Sequence, residues 1–72
     1  MEGLIEGRIV HYVDSMLHRP AIITYVWNVD GMVNLFVFPD GSFPFISNNT
    51  PTSISFDNES KYNGTWHWIE KA

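Results

Sequence analysis

Val29-Asp30-Gly31-Met32 separates two hydrophobic runs, residues 21–28 and 32–38. An Asp-Gly pair in that setting favours a hairpin, because glycine takes φ > 0 at no steric cost. This turn is the strongest local constraint in the chain, since it commits two strands to antiparallel pairing. Residues 21–28 are almost continuously apolar, as in a strand buried on both faces. Residues 32–38 alternate, with Val33, Leu35 and Val37 on one face and Met32, Asn34, Phe36 and Phe38 on the other. Pro39-Asp40-Gly41 supplies a second turn signal.

Three further segments read as strands. Residues 8–13 are β-branched and aromatic with no breaker, placing Ile9, His11 and Val13 on one face and Arg8, Val10 and Tyr12 on the other. Residues 52–56 alternate polar and apolar, with Ile54 and Phe56 inward. Residues 65–69 form a short strand with Trp66 and Trp68 on one face and Thr65 and His67 on the other. Between the first two strands, Asp14-Ser15-Met16-Leu17 suits a single helical turn capped by Asp14 and ended by Pro20, which pushes Arg19 to extended geometry. Residues 42–51 read as a loop that carries Phe43, Phe45 and Ile46. Five short strands with turns between them predict one all-β domain spanning residues 1–72, a small antiparallel SH3-like barrel or curled sheet, with an OB-like barrel as second choice.

Size makes stability an issue. A core in a chain of 72 residues rarely supplies more than about 3–5 kcal/mol net. There is no cysteine, so disulfides, thiolate catalysis and finger-type zinc sites are excluded. Eleven aromatic residues exceed what so small an interior hides, which points to a homo-oligomer with rings at its interface. Four Lys+Arg against eight Asp+Glu cannot form the basic stripe that a long nucleic acid needs. No apolar run approaches the roughly 20 residues that span a bilayer, and no signal peptide is visible. A membrane partner is therefore not expected, and the expected location is the cytoplasm.

Catalytic patterns are absent. There is no Gly-x-Ser-x-Gly, no phosphate loop, and the carboxylates fall in turns, so no enzyme is expected. His11, His18 and His67 lie 7 and 49 positions apart, which is not a metal-ligand spacing for a helix or turn. Strands could bring His11 and His67 together, but a histidine hydrogen-bonded within the sheet is the expectation, with no metal and no cofactor. Arg19, before Pro20, is the leading candidate for a phosphate contact and Arg8 the second. Among the surplus rings, Tyr25, Trp27 and Trp66 are the candidates for exposed surfaces on which a flat base could stack, worth about 1–3 kcal/mol each.

Four blocks carry a resemblance: Gly7-Arg8-Ile9-Val10-His11-Tyr12-Val13, Arg19-Pro20-Ala21-Ile22-Ile23, Asn34-Leu35-Phe36-Val37-Phe38-Pro39-Asp40-Gly41 and Gly64-Thr65-Trp66-His67-Trp68. Together they resemble a family of small tailed-phage and prophage proteins. Some small phage proteins of this kind resemble nucleotide sponges, anti-CBASS proteins that sequester cyclic dinucleotides. The resemblance implies a counter-defence protein in the host bacterial cytoplasm that binds a nucleotide signal without turnover. The residues it carries over are His11, Tyr12, Arg19, Asn34, Thr65 and His67, and each could equally make a structural hydrogen bond. The competing reading is a small barrel that binds a host or virion protein.

Overall fold

A computed structural model describes residues 1–38, 49–59 and 62–69. The described residues form an all-β structure without a helix: β1 (Ile9–Asp14), β2 (Leu17–Val26), β3 (Val33–Val37) and β4 (Trp66–His67). They make one antiparallel sheet in the order β3-β2-β1-β4. The sheet is not the five-stranded SH3-like barrel expected from the strand count. Residues 52–56 contribute only isolated bridges, Val33 to Ile54 and Phe56 to Trp66. Ser53, with φ 56°, breaks the extended run just before Ile54. The expected turn at residues 39–41 and the apolar loop residues Phe43, Phe45 and Ile46 lie outside the described residues.

Residues 14–17 are a two-residue hairpin turn, not a helical turn. Ser15 and Met16 have φ of 52° and 68°, the signs of a type I′ turn, whose twist matches the strands it joins. Asp14 therefore pairs with Leu17, and β2 begins three residues before Pro20. Pro20 sits inside a central strand at low cost. Its carbonyl accepts from Phe38 N at 2.9 Å, so its missing N–H faces the β3 side, beyond the last residue of that strand.

Nor is β2 buried on both faces as its apolar run suggested. Ala21 and Ile23 are buried, whereas Thr24 and Tyr25 are exposed. A bulge between Ile23 and Tyr25 pairs Ile23 with Leu35 and Tyr25 with Asn34. The extra residue turns Tyr25 to the solvent side.

The core lies on one face of the sheet: Val10, Ala21, Ile23, Val33, Leu35, Val37 and Trp66 are buried, with Leu4, Tyr12, Val26, Ile54, Phe56 and Trp68 packed around them. The loop between β2 and β3 closes over it. Gly31 has φ 105°, and a Cβ there would lie 2.8 Å from the Phe56 Cβ, so glycine is needed for both conformation and space. Its carbonyl accepts the Trp66 Nε1–H at 2.6 Å. Residues 49–57 then line both borders of the sheet. Val33, Leu35 and Val37 donate their amides to the carbonyls of Ile54, Pro51 and Asn49, and Trp66 donates to Ser55.

Candidate functional site

Strand register decides which side chains meet. His11 lies directly opposite His67 in the β1–β4 pair, and opposite Pro20 in the β1–β2 pair. His18 is opposite Val13, two residues along, so alternation puts it on the same face as His11 and His67. The three rings contact one another edge to face. Centroids are 5.6 Å apart for His11–His67, 4.8 Å for His18–His67 and 6.3 Å for His11–His18. One ring-nitrogen ligand atom from each residue lies within 4.8 Å of those of the others. His67 is buried, His11 half-buried and His18 exposed. The strand reading had allowed His11 and His67 to meet. His18 was missed because residues 14–17 were read as helical; neither Ser15 nor Met16 favours positive φ, so the sequence held no local signal for the two-residue turn that places it.

Arg19, opposite Tyr12, occupies the core face. Its side chain is 1 % exposed, and its Nε donates to the Asp14 Oδ2 at 3.2 Å. It is a structural ion pair, not a loop guanidinium held out for phosphate. Early strand onset at Leu17 is the reason, since it moves Arg19 from a connection into a central strand. Tyr12 is half-buried beside this pair; burial raises its phenol above the ordinary value of 10.0, and the Asp14 carboxylate adds to the rise. Arg8 is exposed and lies 5.0 Å from the Trp68 ring centroid, with Nη1 3.5 Å from the Gly3 carbonyl.

The stacking candidates divide. Trp66 is buried, wedged between Phe56 and Trp68 with both ring centroids 4.9 Å away. The Tyr12–Trp66 pairing fixes it on the core face, so it offers no open surface. Tyr25 and Trp27 are 49 % and 54 % exposed and meet edge to face at 4.8 Å. The Trp27 indole is held: its Nε1–H donates to the Asn34 Oδ1 at 2.7 Å, and the same oxygen accepts from Ser53 N at 2.9 Å. Trp27 N also donates to the Met32 carbonyl at 2.8 Å. Thr65 is half-buried, with its hydroxyl on the Tyr62 carbonyl at 2.6 Å.

The predicted residues thus form no single site. His11 and His67 join His18 on the β2-β1-β4 surface. Tyr25, Trp27 and Asn34 gather where β2 meets β3. Tyr12, Arg19 and Trp66 belong to the core side. The described residues enclose no cavity and include no helix long and apolar enough to cross a membrane. No family model, no curated protein and no solved structure matches the chain.

Proposed function

We propose that this chain is a non-catalytic binding protein that captures a planar nucleotide base on the Tyr25–Trp27 surface. In this reading it sequesters a nucleotide of the cyclic dinucleotide class as a phage counter-defence protein in the host cytoplasm. The observation that supports it is the immobilised, half-exposed Trp27 ring, locked by Asn34 and braced by Tyr25. An indole fixed in advance loses little entropy when a base stacks on it. Stacking contributes about 1–3 kcal/mol per base and needs no positive net charge, which suits an acidic chain.

Without an enclosed cavity, one copy covers one side of a base. Two copies related by a two-fold axis would present two such surfaces, one for each base of a cyclic dinucleotide. The buried pairing of Arg19 with Asp14 removes it from this role, so the reading rests on stacking. A protein-binding role by strand addition has less support, because among the described residues the outward amides of β3 already donate to residues 49–54.

The test is calorimetry and thermal shift against a nucleotide panel that includes cyclic dinucleotides, with sedimentation to follow assembly. A ligand that binds the folded state raises its stability by RT ln(1 + [L]/Kd). Trp27→Ala should abolish the shift, and because it also removes the bond to Asn34 and the contact with Tyr25, intrinsic stability should fall by about 1 kcal/mol. Absence of any shift at millimolar nucleotide discards the reading.

A further inference from the structure

We propose that His11, His18 and His67 form a binding site for one divalent transition-metal ion of the zinc class. The argument is independent of the Tyr25–Trp27 surface. β2 and β4 flank β1, so with strands about 4.8 Å apart the His18 and His67 backbones are separated by about two strand spacings. Their ring centroids are nonetheless only 4.8 Å apart. Both side chains therefore lean inward over β1, where the third imidazole, His11, stands directly opposite His67.

The donor atoms are almost in place. Zinc binds imidazole nitrogen at about 2.0–2.1 Å in tetrahedral geometry, which sets ligand nitrogens about 3.4 Å apart. The three nitrogens lie within 4.8 Å of one another. Shifts of about 1 Å by ring rotation about side-chain torsions close that gap with the backbone unmoved. The chain holding these residues is a hydrogen-bonded sheet, so the donors start largely organised.

Donor chemistry selects the ion. Three neutral imidazoles suit zinc, copper, nickel or iron, whereas calcium and magnesium require oxygen ligands. Asp14, the nearest carboxylate in sequence to His11, occupies the other face and is engaged by Arg19. Three histidines fill three tetrahedral corners, and the fourth falls to water or an external anion. Exposure grades from buried His67 through half-buried His11 to exposed His18, so the ion approaches from the His18 side.

Metal-free protein titrated with zinc by calorimetry should bind one ion per chain. Cobalt substituted for zinc should give the strong visible absorption of a four-coordinate site. His18→Ala tests the site without threatening the fold, because His18 is exposed. It should weaken zinc by more than the roughly 10–100-fold that loss of a second-shell partner costs, and it should abolish the cobalt spectrum. His11→Gln should do the same. Two results would overturn the proposal: no zinc uptake by the intact protein at micromolar ion, or uptake with affinity and stoichiometry unchanged in His18→Ala.

Discussion

Successive residues of β1 alternate between two chemical worlds. On one face Val10 and Tyr12 join Ala21, Ile23, Leu35 and Trp66 in a packed core, and the charged group admitted there, Arg19, is bonded to Asp14. On the other face His11 meets His18 and His67, and Tyr25 stands half-exposed opposite Asn34. Burial costs a charge several kcal/mol unless it is paired, so the core face admits only a polar group whose bonding serves the fold. The opposite face gathers the imidazoles, graded from buried His67 through half-buried His11 to exposed His18, beside the half-exposed Tyr25 ring. Polar residues in neighbouring strand positions therefore carry different meanings, and the register distinguishes them.

Substitutions can break this contrast in order of size. Trp66→Ala removes the largest buried side chain and should cost about 3–5 kcal/mol, comparable to the whole net stability of so small a core. Loss of the cooperative denaturant transition is the expected result, and an intact transition would show that the core does not centre on Trp66. Arg19→Ala comes next. Removing one partner of a wholly buried pair costs about 3–5 kcal/mol. Because the Asp14 side chain is 29 % exposed, water takes over part of its solvation and the expected loss is about 2–3 kcal/mol. A urea midpoint within error of the parent would instead return Arg19 to the surface.

The smallest effect sharpens the contrast through pH. Tyr12 has a raised pKa in the folded state, so above about pH 10, the unfolded value, the unfolded chain holds fewer protons than the native one. Stability contributed by the protonated phenol is complete below that pH and declines as pH rises through the folded value. Tyr12→Phe should remove this decline, seen as a flatter plot of urea midpoint against pH. An unchanged slope would place the phenol in water.

Much of the fold was legible in local pattern. The alternation in β1 and β3 and the Asp30-Gly31 turn gave the strands and sorted their residues onto two faces, because period two and turn chemistry are local properties. Ser15-Met16 defeated that approach. Neither residue favours positive φ, so the turn is imposed by contacts with the rest of the molecule. Misreading it misplaced Arg19 and concealed His18. Trp66 failed as a surface candidate for a different reason: an indole two residues past Gly64 looks alike whether covered or open, and only its partner Tyr12 across the strands decides. Tyr25 and Trp27 were expected to be exposed at a strand end, and their exposure follows from a bulge that no residue type announces.

The Ser15-Met16 turn has a consequence for the order in which the molecule assembles. Left-handed backbone costs an L-residue roughly 1–2 kcal/mol, and here the Met16 amide is fastened to the Asn63 side chain at 2.9 Å. That clasp joins positions 47 residues apart in sequence. A nascent chain that has not yet reached Asn63 would have the first hairpin without its fastening, so the bend carrying His18 towards His11 matures only after that residue emerges.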